Sequence, residues 1–377
     1  MRAQESPAVR PFSVSIDEPV LAEMRARLAR TRWPDAIDGA GWAYGTDETY
    51  LRELVVHWRD GFDWRAQEQR INGFEHAIVT VDGLAIHTMH ARSSAPDAIP
   101  LLMLHGWPST FVQMLDIVPL LTPYFHVVVP SLPGFGFSPP SRTPGMHVGR
   151  IAGAFVMLMA SLGYARFGAR SSDLGAGVLQ QMALDDPGVL IGLHLSGTNP
   201  YIGYVPDDLS PAEQTFVADA QRWNQTEMAY AMMHSSKPQT VAVALNDSPA
   251  GLASWIVEKF WRWSDDGGDL GSRFTFDQLL TNLTIYWATQ TINSSMRLYY
   301  ETARATLAYG HVDVPTAMLM SDRDLFPTPR EWAARQYNVV RWTKIDRGGH
   351  FLEWEEPRLV ADDLIATFAP ARTAPSR

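Results

Sequence analysis

Through the first seventy residues, apolar positions recur every three or four residues, the period of a helix with one buried face. "SIDEPVLAEMRARLARTRWP" (15–34) opens on serine and acidic residues, carries apolar side chains at that spacing and meets Pro34 as a stop. "DETYLRELVVHWRDGFDWRAQEQRI" (47–71) repeats the pattern. No strand signal precedes residue 75, so residues 1–70 read as an N-terminal helical arm.

The period then changes. "EHAIVTVDGLAIHTMHAR" (75–92) is two alternating runs joined at Asp82-Gly83, the signature of a hairpin. His87 and His90 lie three apart on its second run and so face opposite sides, which argues against a metal pair. "IPLLMLHGWP" (99–108) and "FHVVVPSLPGFGFSPP" (125–140) are nearly unbroken apolar runs that end in Gly/Pro loops, as buried strands do. A helix, "GRIAGAFVMLMASLG", a short strand, "RFGARSS", a helix from about Gly175 to Asp186 and a strand, "VLIGLHLSG", follow in turn. Such alternation predicts an α/β fold with a doubly wound, mainly parallel sheet, whose site lies at the carboxyl ends of the strands.

From about Asn199 to Leu307 the pattern is helical, rich in Trp, Tyr and Met, and interrupted by the loop "SDDGGDLGS" (264–272). Strands return at "VPTAMLMS" and "NVVRWTKI", before a last helix, "EPRLVADDLIATF". The expected division is therefore an arm (1–70), a core (71–198), a helical cap (199–307) and the rest of the core (308–377).

A net charge of −10 argues against nucleic acid or an anionic membrane as partner. Zero cysteines exclude disulfides, thiolate metal sites and a cysteine nucleophile. The first fifteen residues lack the apolar run of a signal peptide or membrane anchor, which predicts a soluble, cytoplasmic protein. Three lysines against 28 arginines suggest a GC-rich bacterial source.

"ARSSDLGAG" (169–177) sits where strand gives way to helix, with the small-x-polar-x-small spacing of a nucleophile elbow. Its centre is Asp173, where an acyl-transfer enzyme has serine. An aspartate at a helix start is also an ordinary cap, so the rest of the chain must decide. "GGH" (348–350) follows the last strand and projects His350 from a tight loop, and "SDRDLFP" places Asp322 and Asp324 after another strand. The order nucleophile, acid, histidine is that of an α/β-hydrolase. "HGWP" (105–108) stands where this fold supplies a backbone N–H to an oxyanion hole, the second coming from Leu174.

"HGWP", "SSDLG", "RGGHF" with "EEP" after it, "TRWPD", "DWR" and "ALNDSPAGLASWIVEKF" together resemble the microsomal and juvenile-hormone branch of the epoxide hydrolases. The resemblance runs from about Pro11 to Phe368. It implies an α/β-hydrolase core with an arm and a cap, no cofactor and no metal. It also implies a nucleophile at Asp173, a base at His350 and an acid at Asp324 rather than Asp322. Two cap tyrosines that activate the epoxide fall on Tyr230 and Tyr299, with Tyr300 as the neighbouring rival. His105, Gly106, Trp107 and Pro108 would bind substrate, and the N–H groups of Trp107 and Leu174 would hold the oxyanion. Ser171, Ser172 and Leu174 depart from the glycines and tryptophan usual in that family, which puts substrate identity in question.

An aspartate suits this chemistry, because ring opening by a carboxylate gives an ester that water can cleave, whereas a serine would give an inert ether. The aromatic cap suggests a bulky, hydrophobic epoxide. A homodimer is compatible with the sequence. Two alternatives stand: a haloalkane dehalogenase, for which Leu174 lacks the indole donor that holds halide, and a non-catalytic ligand-binding relative.

Overall fold

The computed structural model of the chain describes residues 8–197, 205–325 and 327–373. Nine strands form one sheet: β1 (Ala8–Phe12), β2 (Glu75–Val81), β3 (Leu84–Ala91), β4 (Ile99–Leu104), β5 (Phe125–Pro130), β6 (Phe167–Ser171), β7 (Leu190–Leu195), β8 (Val312–Ser321) and β9 (Tyr337–Ile345). Their spatial order is β1-β2-β3-β5-β4-β6-β7-β8-β9. The first three strands and the β3–β5 pairing are antiparallel, and every pairing from β5 to β9 is parallel.

The expected hairpin is present. Asp82 and Gly83 both take positive φ, 46° and 73°, the two-residue turn whose twist matches that of paired strands. The arm, by contrast, is not all helix. Residues Ala8–Phe12 pair antiparallel with β2, with Arg10 opposite Ile78, and so form the outermost strand. Five residues are too few to show alternation, and Pro11 is tolerated only because this strand lies at the sheet edge. The helix Glu18–Ala29 also stops well before Pro34, where the Arg30 N–H bonds back to the Arg27 carbonyl and the Thr31 N–H to that of Leu28. Two further arm helices, Glu48–Asp60 and Trp64–Ile71, begin at Asp47 and Asp63, whose carboxylates cap the first turns.

Strand order places the site. Leaving β4 the chain turns toward β5, and leaving β6 it turns toward β7, so the winding reverses between the adjacent strands β4 and β6. A crevice opens at such a switch point, beyond the carboxyl ends of the strands. The parallel register Leu104↔Ser171 then sets His105 and Gly106 beside Ser172 and Asp173. The helix after β6 spans Asp173–Asp185, beginning two residues ahead of the position expected from sequence.

Between β7 and β8, the described residues form six α-helices, Pro211–Thr226, Ala229–Ser236, Pro238–Asp247, Pro249–Trp263, Phe276–Thr289 and Ile292–Thr302, and one short 3-10 turn, Leu270–Ser272. Pro211, Pro238 and Pro249 stand in first turns, where a missing N–H costs nothing. Ser210 with Glu213, and Thr275 with Gln278, close reciprocal capping boxes. The expected start of this region near Asn199 lies outside the described residues. The arm helices pack on these cap helices. Trp58, almost wholly buried, donates to Thr284 Oγ1 at 2.9 Å, and Thr46 Oγ1 donates to the Ser254 carbonyl at 2.7 Å.

A line of buried histidines runs under the sheet edge. His76 and His87 are joined through Nδ1 and Nε2 at 3.0 Å, His76 Nε2 reaches the Ile71 carbonyl, and His87 Nδ1 meets Ser131 Oγ. His90 turns to the opposite face and contacts Tyr164. Burial pushes the pKa values of His76 and His87 down, so both are neutral in the folded protein. Unfolding lets them charge below their unfolded value of about 6.5. Stability from these groups is thus present above that pH and lost as pH falls below it, by up to about 1.4 kcal/mol per pH unit for each histidine. Urea unfolding at pH 7.5 and pH 5.0 should show the loss, and His87→Gln should flatten it.

Candidate active site

Asp173 sits at the first position of its helix with φ 49°, a left-handed conformation that side chains other than glycine adopt only under constraint. The strand-to-helix turn throws its carboxylate up into the switch-point crevice. Two glycines permit the turn. A Cβ on Gly175 would lie 2.1 Å from Ser171 Oγ and 2.8 Å from Leu104 Cβ, so the helix could not sit this close to the strands. A Cβ on Gly106 would lie 2.4 Å from Asp173 Oδ1, so any side chain there would displace the carboxylate.

That close approach lets the Trp107 N–H donate to Asp173 Oδ1 at 2.9 Å. The Leu174 N–H belongs to the first helical turn, whose donors have no acceptor within the helix. His105 carries this loop from below. Its Nε2 accepts from the Leu132 N–H at 3.1 Å and its Nδ1 meets the Gly106 carbonyl, while burial lowers its pKa to about 4 and keeps it neutral.

His350 stands between two carboxylates. Its Nε2 lies 3.5 Å from Asp173 Oδ2, and its Nδ1 lies 3.0 Å from Asp324 Oδ1, which also accepts the Leu325 N–H at 2.7 Å. Burial alone would lower the histidine pKa, but the charge of Asp324 and then the contacts with Asp173 outweigh it and raise the value to about 10. Asp324 shows the reverse balance: burial raises its pKa, and the charge and hydrogen bond of His350 bring it below the ordinary aspartate value. Asp322 lies apart on the surface, paired with Lys344 at 2.9 Å.

The two expected tyrosines face the carboxylate from the cap. Tyr230, on the helix Ala229–Ser236, stacks on the Trp107 indole with ring centroids 5.1 Å apart and 10° between planes. Tyr299, on the helix Ile292–Thr302, meets Tyr230 edge-on at 6.2 Å. Burial, followed by the nearness of Tyr230 and Asp173, raises the Tyr299 pKa well above that of free tyrosine, so the phenol holds its proton. Tyr300 points elsewhere, its ring under the Arg304 guanidinium at 3.7 Å.

A cavity of about 640 Å³ joins these groups. Asp173, Leu174, Tyr230, Tyr299, Asp324 and His350 all line it. Of the "HGWP" residues expected to touch substrate, none lines the cavity. His105 is spent on the loop beneath, and the Trp107 ring is only 1% exposed, enclosed by Tyr230, His234, Trp263 and Tyr299. The stretch offers its backbone and a packing surface instead. Among the described residues, no group of three or more His, Asp or Glu could hold a metal ion, and no helix is long and apolar enough to cross a membrane.

One neighbour carried no sequence signal. Arg170, on β6 and wholly buried, pairs through Nε with Glu353 at 3.0 Å and donates through a second nitrogen to Ser196 Oγ at 2.8 Å; Gln113 donates to the other oxygen of Glu353. The network ties the nucleophile's strand to the segment that follows His350. An isolated arginine in a strand gives no hint of this, because its partner lies 183 residues away.

After the charge of Asp324, the contacts with Asp173 raise the His350 proton affinity, so removal of the Asp173 charge has a direct readout. Asp173→Asn should lower the His350 pKa in an NMR titration, with the fold unchanged. Gly106→Ala should cost activity about a hundredfold or more, since a shift of about 1 Å in reacting groups is enough for that.

Comparison with known proteins agrees with this geometry. Residues 9–114 match the family model described as epoxide hydrolase N terminus, and residues 99–357 match that of the alpha/beta hydrolase fold. Epoxide hydrolase 1 of Sus scrofa is 34% identical over 96% of this chain and 89% of its own length. The crystal structure of juvenile hormone epoxide hydrolase from the silkworm Bombyx mori superposes with a TM-score of 0.88 at 29% identity, covering 98% of this chain and 96% of that one. The structure of Aspergillus niger epoxide hydrolase gives 0.85 at 30% identity, covering 98% and 97%. The chain belongs to the epoxide hydrolase family, on an α/β-hydrolase fold.

Proposed function

We propose that the chain hydrolyses a bulky, hydrophobic epoxide to a vicinal diol through an ester on Asp173. The observation that carries this reading is a carboxylate at the elbow with one oxygen on a backbone N–H, the other facing a histidine, and two phenols across the cavity.

Asp173 Oδ2 attacks one epoxide carbon from the face away from the ring oxygen, the bond between that carbon and the oxygen breaks, and the departing oxygen takes a proton from Tyr230 or Tyr299. Neutral phenols suit this task, since they hold the oxygen by hydrogen bonds and release a proton only as negative charge develops. Esterification removes the Asp173 charge. One of the two carboxylates that keep His350 protonated is then gone, its pKa falls, its proton passes to the tyrosinate left by ring opening, and the free imidazole becomes the base that takes a proton from water. Hydroxide adds to the Asp173 carbonyl carbon, and the N–H groups of Trp107 and Leu174 receive the charge on Oδ1. Collapse expels the diol oxygen, which takes back the proton from His350, and the Asp173 carboxyl group so formed passes its own proton to His350, restoring the starting charges. Asp324 holds the imidazole in the orientation and tautomer that leave Nε2 facing the ester.

Several features support the assigned regions. We take residues 1–70 as arm, 199–307 as cap, and 71–198 with 308–377 as core, because the cap tyrosines and core carboxylates converge on one cavity. Leu174 at the cavity floor, with Trp223, Met228 and Leu307 along its wall, favours an apolar substrate body. The dehalogenase alternative would need a halide donor that Leu174 cannot supply.

Intact mass of His350→Ala after incubation with terminal, aryl and polycyclic epoxides tests the assignment. A gain of one whole epoxide, mapped to Asp173, is expected; a folded variant that gains nothing from any of them would contradict it. Tyr230→Phe and Tyr299→Phe should each slow ester formation by about tenfold to a hundredfold, leaving ester hydrolysis the less affected step.

A further inference from the structure

The glutamates after His350 and the acidic glycine loop of the cap take no part in the chemistry above, yet they meet around the histidine. Four consecutive backbone N–H groups of the histidine loop each have an acceptor. Gly348 donates to Asp265 Oδ2 at 3.1 Å, Gly349 to Glu355 Oε2 at 2.8 Å, His350 to the Trp263 carbonyl at 2.8 Å and Phe351 to Glu355 Oε1 at 3.0 Å. Glu355 Oε2 also accepts the Asp265 N–H at 2.8 Å. One carboxylate therefore holds the residues on both sides of His350 and the cap turn opposite them.

The two backbones touch. A Cβ on Gly349 would lie 2.5 Å from the Trp263 carbonyl oxygen and 2.6 Å from the Asp265 nitrogen, so the loop and the turn approach as closely as glycine permits. The Trp263 ring then meets the His350 ring edge-on, with centroids 5.3 Å apart. Arg273 fixes the far side of the turn, donating to Asp265 Oδ2 at 2.9 Å. The other two glutamates of the motif are differently engaged: Glu353 faces Arg170 and Gln113, and Glu356 faces Arg273 and Arg347.

We propose that Glu355 is a positioning residue for ester hydrolysis: with the Trp263–Asp265 turn of the cap it clamps the peptide that carries His350. The clamp places the imidazole over the Asp173 ester, and because half of it comes from the cap, the base is in position only with the cap docked. A carboxylate is needed here. Three N–H donors converge on its two oxygens, and a glutamine would turn an NH2 group toward at least one of them. The proposal rests on His350 being the base of the reaction assigned above.

The test separates the two half-reactions. Full-length Glu355→Gln is mixed rapidly with styrene oxide, quenched, and followed by intact mass for formation and decay of the Asp173 ester. Formation should stay within about threefold of the wild-type rate, and decay should slow by about tenfold or more, because a small displacement of a base is costly. Ester should therefore accumulate in the variant during turnover. Decay at the wild-type rate, or an equal slowing of both steps, would overturn the proposal. If Glu355→Gln does not fold, Asp265→Ala carries the test, since it frees the Gly348 N–H and removes one of the carboxylates that hold Arg273; the same selective slowing of decay is expected. A His350→Ala control distinguishes the failures: no ester in that variant would sink the reaction assignment itself, whereas ester there together with normal decay in Glu355→Gln would sink the clamp alone.

Discussion

Everything at the site depends on how closely two backbones approach at the switch point of the sheet. Gly106 lies so near Asp173 that a single added carbon would collide with the carboxylate. That proximity points the Trp107 N–H at Asp173 Oδ1, the oxygen that carries the charge in the proposed ester hydrolysis. The left-handed turn at Asp173 costs about 1–3 kcal/mol. It persists because β4, β6 and the following helix, packed through Gly175, leave the residue no other conformation.

A second constraint is electrostatic. The site holds one imidazole between two carboxylates, away from bulk water, and the proton stays on the histidine as long as both charges remain. In the proposed reaction, ester formation at Asp173 deletes one of those charges, so that the same group is both nucleophile and the switch that frees the base. The buried Arg170–Glu353 ion pair joins the strand that carries Asp173 to the segment that follows His350. Removing either partner would leave an uncompensated buried charge, a loss of about 3–5 kcal/mol.

The cap is bound into this arrangement from two directions. The arm reaches it through Trp58 and Thr46, and the histidine loop reaches it through Trp263 and Asp265. Tyr230 and Tyr299 therefore sit on helices whose placement is tied both to the arm and to the core. The Trp107 indole completes the contact by stacking under Tyr230, so the loop after β4 and the two cap tyrosines share one packed aromatic cluster.

Local sequence determined a great deal here. Period and turn chemistry located the hairpin at Asp82-Gly83, the buried strands, the elbow and the order of Asp173, Asp324 and His350, because each of those signals is carried by neighbouring residues. It could not reveal β1, a five-residue edge strand that exists only by pairing with β2, nor where the first helix ends, which a backbone cap decides without Pro34. Residue pattern left Asp324 beside Asp322 and Tyr299 beside Tyr300; the resemblance chose the first of each pair, and only the fold shows how their surroundings differ, since residues one or two apart are turned in different directions. The same limit hid Arg170, Glu353 and Glu355. Their partners are distant in the chain or belong to backbone groups, and a hydrogen bond to a backbone N–H leaves no mark on the identity of the residue that provides it.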